Sequence, residues 1–156
     1  ELGYQVGTGF MVGSPWQTMA NLLEDLAFIR ELQPQMIGIG PFIPHHATPF
    51  KNYPAGTLEQ TLTLLSVLRL MFPKVLLPAT TALGTIVPNG RELGILAGAN
   101  VVMPNLSPAD VRQNYLLYDN KLCRGAEAAE AKNDLAARLH SIGYEIAEGR
   151  GDYKES

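Results

Sequence analysis

Short apolar runs bounded by glycine and proline alternate along this chain with segments in which apolar residues recur every three or four positions. That alternation of a strand pattern with a helix pattern predicts four successive strand-helix units. The first strand spans 6–13 and ends in Ser14-Pro15-Trp16-Gln17-Thr18, a turn with a capping residue. Leu22, Leu23, Leu26, Ile29 and Leu32 then form a helical stripe, and Pro34 closes it. The second strand, 36–43, is almost unbroken in its apolar character, as in a parallel strand covered on both faces. A polar loop over 44–56 precedes a helix from about 57 to 72. There Thr57 and Gln60 have capping-box spacing, and Leu58, Leu62, Leu65, Leu68 and Met71 repeat on one side.

The third strand is 74–79, followed by Thr80-Thr81 and a loop over 84–90 rich in glycine and proline. A short helix over 91–97 stops at Gly98, a natural C-terminal cap. The fourth strand is 100–104, and Ser107-Pro108 opens another helix. Residues 126–143 are alanine-rich and helical, and 149–156 read as a polar, frayed tail. Alternating strands and helices imply α/β architecture with a parallel sheet. Four such units fit a small doubly wound sheet or half of an eight-stranded barrel. Alternate glycines within the strands (Gly7 and Gly9; Gly38 and Gly40) favour the half barrel, because they leave inner volume for a ligand or a bulky neighbouring layer. The unusual polar residues also follow the strands, where barrel sites lie.

Composition narrows the function classes. The 156 residues are 46% apolar and 17% charged with a net charge of -3, a globular balance that argues against a nucleic-acid surface. The single cysteine, Cys123, excludes an internal disulfide and any metal or cluster site built wholly from the chain's own thiolates. No apolar run is long enough for a membrane span, and the opening residues show no initiator Met, charged n-region or signal h-region. The expected location is cytoplasmic, with no membrane partner. The opening Glu1-Leu2-Gly3-Tyr4 reads as the interior of a longer chain.

Several residues carry chemistry. The turn from Gly9 to Gly13 ends a strand and lets backbone approach a flat ring or a phosphate, although no P-loop or complete dinucleotide fingerprint is present. The alternative reading is plain helix-strand packing. His45-His46 follows the second strand; adjacent histidines usually diverge, so the pair reads as a solvent-facing loop without a shared metal. Thr80 and Thr81 offer hydroxyls at a strand end, for a small anion or for initiating a turn. Tyr115 and Tyr118 share a face if helical, and with Met36 and Met103 they suit either a soft cavity or a core. Glu24, Asp25, Glu31, Glu59 and Glu92 read as solvated helix faces, and no hydrolytic triad is visible.

Four strings occur in order at the four strand ends. They are GTGFMVGSP at 7–15, MIGIGPFIPH at 36–45, PATTALGTIVP at 78–88 and ANVVMPN at 99–105. Together they resemble the C-terminal half of the radical S-adenosylmethionine maturases of iron-only hydrogenase, the HydE type, over residues 2 to about 123. Biotin synthase and methylornithine synthase are more distant relatives of that family.

The resemblance implies strands five to eight of a radical S-adenosylmethionine (β/α)8 TIM barrel. Residues 1–125 would then be the half barrel with its biotin and thiamin synthesis-associated region, 126–148 a C-terminal helix and 149–156 a tail. It places Gly9, Met11, Gly13 and Ile43 against S-adenosylmethionine. It lines a substrate cavity with Met36, Thr80, Thr81, Met103, Tyr115 and Tyr118, for a small organometallic or amino-acid-derived substrate. The family's 4Fe-4S cluster is held by a three-cysteine motif in the N-terminal half, so this piece alone is expected to be inactive, with no catalytic residue and no metal ligand of its own. Expected partners are that N-terminal half and the other hydrogenase maturases. Two departures stand out. Relatives usually have glycine where this chain has Trp16. The three-cysteine accessory cluster of some relatives is reduced to Cys123, with Ala131 and Asp134 at the other spacings, so no accessory cluster is expected. A non-catalytic half-barrel module that dimerises edge to edge is the rival reading.

Overall fold

The computed structural model describes residues 2–103, 117–119 and 128–154. Strand β1 (Gly7–Val12) leads into helix α1 (Met19–Leu32), strand β2 (Met36–Pro41) and helix α2 (Leu58–Met71). Two short helices, α3 (Thr81–Ile86) and α4 (Gly90–Leu96), follow, and α5 (Ala128–Ser141) lies near the end. β1 and β2 pair in parallel, from Gly7 beside Met36 to Val12 beside Pro41.

Beyond β2 the expected third and fourth strands are reduced to single parallel bridges, Met36 with Leu76 and Pro78 with Val101. The Ile37 amide donates to the Leu76 carbonyl at 2.9 Å, and the Ala79 amide to the Val101 carbonyl at 2.8 Å. Part of the reason for the short ladders is Asn100, whose side chain takes over strand pairing. Its Oδ1 accepts from the Leu77 amide at 2.8 Å and its Nδ2 donates to the Val75 carbonyl at 3.3 Å. Four extended segments thus lie side by side in chain order. The segment predicted as fourth strand is described only to Met103, and the helix predicted after Ser107 lies outside the described residues.

Helix boundaries follow local chemistry. Thr18 and Asn21 form a reciprocal capping box at the start of α1, satisfying amides that the first turn would otherwise leave unpaired. Gln33, in the left-handed conformation (φ 50°), and the following Pro34 end it. Thr57 caps α2 by accepting from the Gln60 amide at 3.2 Å. One boundary differs from expectation. The run 81–86 forms helix α3, where sequence pattern suggested a loop over 84–90. Its buried residues are Ala82, Leu83 and Gly84, of which only Leu83 is large, so no helical stripe shows.

The core lies between the sheet and α1 and α2, and includes Val12, Leu22, Ile29, Ile37, Ile39, Leu65, Leu68, Leu77 and Leu83. The α1 stripe is only half buried: Leu22 and Ile29 are inside, whereas Leu23 and Leu32, with Met19 and Phe28, are exposed. Helix α5 adds Leu135 and Leu139 to the core. It is fastened by Arg138, which ion-pairs with Glu92 (Nη2 to Oε2 2.8 Å) and donates to the Pro88 carbonyl. Glu92 is therefore buried and paired rather than part of a solvated face. No helix among the described residues is long and apolar enough to cross a membrane.

Candidate functional site

The two faces of the sheet differ in what the alternating residues provide. Along β2, Ile37, Ile39 and Pro41 are buried while Met36, Gly38 and Gly40 are partly open. The open side borders a cavity of about 1040 Å³, lined mostly by apolar atoms from both strands, the loop after β2, residues 78–82, Met103 and residues 117–118. Glycine makes this volume in three ways. A Cβ on Gly38 would point into empty space. One on Gly40 would press on the Thr80 hydroxyl, so its absence admits that side chain. One on Gly9 would collide with the Gly38 carbonyl, so glycine there permits close approach of the two strands.

Of the ten positions singled out from sequence, eight border this one cavity: Gly9, Met11, Met36, Ile43, Thr80, Thr81, Met103 and Tyr118. Gly13 does not. It turns the chain at φ 76° and packs against the backbone of Gly56, conditions that exclude a side chain. Tyr115 and Cys123 lie outside the described residues. Tyr118 sits in a bend, not on a described helix.

The turn after β1 is held by a residue that sequence reasoning passed over. Gln17 Oε1 accepts from the Gly13 amide at 2.7 Å, and its Nε2 donates to the Met11 carbonyl at 2.8 Å. Trp16 keeps a glycine-like backbone at φ 64°. Its exposed ring meets Tyr53 and Phe50 edge-on, at 5.3 and 6.0 Å between centroids. Trp16 thus covers the turn with an aromatic ring while holding a left-handed backbone that glycine favours.

The polar end of the cavity is formed by Thr80 and Thr81. Thr80 is the residue before α3 but does not cap it, and its Oγ1 is buried without a hydrogen-bond partner among the described residues. Thr81 Oγ1 accepts from Arg91 Nη2 at 3.1 Å, which leaves its own O–H available to donate. Burial, reinforced by nearby Arg138, holds the Arg91 guanidinium below its ordinary pKa, against the opposing influence of Tyr118 and Glu92. A half-buried cation behind the Thr81 hydroxyl suits an acceptor or anionic group at this end of the cavity, while thioethers and apolar walls suit a polarizable body.

At the rim, His45 is not the solvent-facing residue expected: it lines the cavity and only His46 is exposed. Asp119 joins them. It accepts from the His46 amide at 2.8 Å and meets His46 Nδ1 at 2.7 Å, and its own amide donates to the Pro44 carbonyl at 3.2 Å. The His46 side-chain hydrogen bond, opposed by slight desolvation, holds the Asp119 carboxyl below the usual carboxylate range; the His46 amide and the charges of both imidazoles act the same way. Nothing local in the sequence signals a partner 73 positions away.

Parallel strands crossed by helices, with a mainly apolar cavity at the sheet and two hydroxyls at one end, define a ligand-enclosing α/β unit. Over 123 residues, 79% of this chain, 50% of positions are identical to the FeFe hydrogenase maturase subunit HydE of Thermotoga maritima. The 3-methylornithine synthases of Methanosarcina barkeri and Methanosarcina acetivorans are 33% and 27% identical over 122 and 147 residues, 78% and 94% of the chain. The chain is thus a homologue of the HydE-type hydrogenase maturases, with methylornithine synthases among its relatives. It spans 35%, 34% and 40% of the lengths of these three proteins. No protein-family model matches the chain.

Proposed function

We propose that this chain is the C-terminal half of a radical S-adenosylmethionine enzyme that matures FeFe hydrogenase, supplying strands five to eight of its barrel. The observation that carries the reading is the 50% identity to HydE over 123 residues. Two features support a complementary half. Within the described residues β1 pairs on one edge only, and α1 leaves Met19, Leu23, Phe28 and Leu32 exposed beside it. An unpaired edge with an adjoining apolar helix face is what a further strand-helix unit would cover.

The residues fit a nucleoside-sized ligand. A cavity of about 1040 Å³ exceeds the ~300–1,000 Å³ of ordinary ligand pockets, room for S-adenosylmethionine and a small substrate together. In this reading Gly9, Met11 and Ile43 form apolar wall beside the adenosyl end, and Gly13 with Gln17 fixes the turn that carries them. Thr81, oriented by Arg91, donates to an anionic or lone-pair group of the substrate. Met36, Met103 and Tyr118 exclude water from it. The residues do not fit a 4Fe-4S cluster, since one cysteine cannot supply its thiolates; cluster and reductive cleavage are assigned to the other half. Other hydrogenase maturases are the expected partners, in the cytoplasm.

The reading is tested on the complete open reading frame and its purified product. A Cys-x3-Cys-x2-Cys motif upstream of residue 1, reductive release of 5'-deoxyadenosine, and restoration of hydrogenase maturation in a strain lacking HydE are expected. A complete natural chain without that motif, and with no partner chain carrying it, would overturn the enzymatic reading. Production of 3-methylornithine without maturation activity would instead select the synthase class, which the lower identities of 33% and 27% disfavour.

A further inference from the structure

The loop after β2 and the segment 117–119 meet at His45, His46 and Asp119, whose candidate ligand atoms all lie within 4.8 Å of one another. A tight turn gathers them: the Thr48 amide and hydroxyl both donate to the His45 carbonyl, at 3.0 and 2.8 Å. The turn brings the two rings into a stack 4.3 Å apart at 26°, so the adjacent histidines do not diverge.

We propose that His45, His46 and Asp119 bind a divalent transition-metal ion of the zinc class at the mouth of the cavity. The proton pattern motivates this. The Ala47 amide donates to His45 Nδ1 at 3.0 Å, so the neutral ring carries its proton on Nε2, which stands 4.0 Å from Asp119 Oδ1. His46 Nδ1 lies 2.7 Å from that same oxygen. Two imidazole N–H groups therefore converge on one carboxylate oxygen, and a doubly charged ion takes the place of their two protons. The three-quarters-exposed His46 ring then keeps its hydrogen on Nε2. His45 carries its hydrogen on Nδ1, and the exposed Ala47 amide turns to water.

Two of the three ligand pairs move by less than about 1 Å, and the two rings tilt out of their stack so that both in-plane lone pairs aim at the ion. A tetrahedral ion with bonds of about 2.0–2.1 Å holds its ligand atoms about 3.3 Å apart. The 2.7 Å contact opens by about 0.6 Å and the 4.0 Å contact closes by about 0.7 Å. Two imidazoles and one carboxylate select zinc, cobalt or nickel over magnesium or calcium, which prefer all-oxygen shells. The ion staples the loop after β2 to the segment that carries Tyr118, and so fixes one wall of the cavity.

The test uses the complete untagged protein with its cluster in place, freed of adventitious metal by chelator dialysis and titrated with Co²⁺ and then Zn²⁺. About one equivalent of Co²⁺ should bind with the visible absorption of a low-coordinate site, and Zn²⁺ should displace it. Asp119→Asn, nearly isosteric, and His46→Gln should each weaken binding by about 100-fold or more. His140→Gln, on α5, should leave binding unchanged. Imidazole ¹⁵N resonances of the unmutated chain provide a readout independent of variant folding: Zn²⁺ should shift those of His45 and His46 but not His140. The proposal is overturned by absence of the cobalt spectrum and of zinc uptake, by binding that survives both ligand variants, or by nitrogen shifts confined to His140.

Discussion

The two faces of the sheet are built from the same short strands to opposite ends. On the helix side, Val12, Ile37, Ile39 and Leu77 are completely or almost completely buried against α1 and α2. On the cavity side, alternate positions are glycine, threonine and methionine, and a large volume is left open. Stability resides where β-branched and leucine side chains fill space; binding capacity resides where the sequence withholds side chains. The difference teaches that deleting alternate side chains along a strand creates a cavity while leaving the opposite face fully packed, because successive residues point to opposite sides.

Leu65→Ala, on the packed face, has the largest expected effect. It should cost about 3 kcal/mol, within the ~2–5 of buried leucine truncations, read as a lower urea midpoint. Arg138→Met should cost about 2 kcal/mol, because Glu92 stays buried without its partner. This is less than for a fully buried pair, since Arg138 is 35% exposed. Thr18→Ala removes the α1 cap at about 1 kcal/mol, measured by thermal melting.

On the open face the prediction reverses. Gly38→Leu should change stability by less than about 1 kcal/mol, because the new side chain enters empty space. In the full-length protein it should weaken S-adenosylmethionine or substrate binding tenfold or more, measured by calorimetry. If Gly38→Leu destabilises as much as Leu65→Ala, the contrast between the faces fails. The smallest net effect belongs to Trp16→Gly. Relief of about 1 kcal/mol of left-handed strain roughly offsets the loss of edge contacts worth about 0.5–1.5 kcal/mol, so the melting temperature should barely move.

Much of this was legible without coordinates because it is local. The caps at Thr18 and Thr57, the apolar runs of β1 and β2, and the helical repeat of α2 depend on neighbours within a few residues. Eight of the ten predicted site positions converge because their motifs sit at the ends of adjacent extended segments. Other features were hidden because they depend on distant partners. Glu92 looked solvated until Arg138, 46 positions on, was folded against it. His45 and His46 looked like an ordinary loop until Asp119 closed on them. Helix α3 escaped notice because it is short and buries only one large residue, Leu83.

The sequence by itself determined the order of strands and helices, the glycines that leave the cavity open, and the kinship with HydE-type maturases. These are written in periodicity, turn residues and ordered motifs, which act over short stretches of chain. Only the tertiary structure decided which charges are paired, which hydroxyl is free to donate, and which side chains meet at the rim. Those outcomes depend on contacts between residues tens of positions apart, and burial and electrostatics take their values only once such contacts exist.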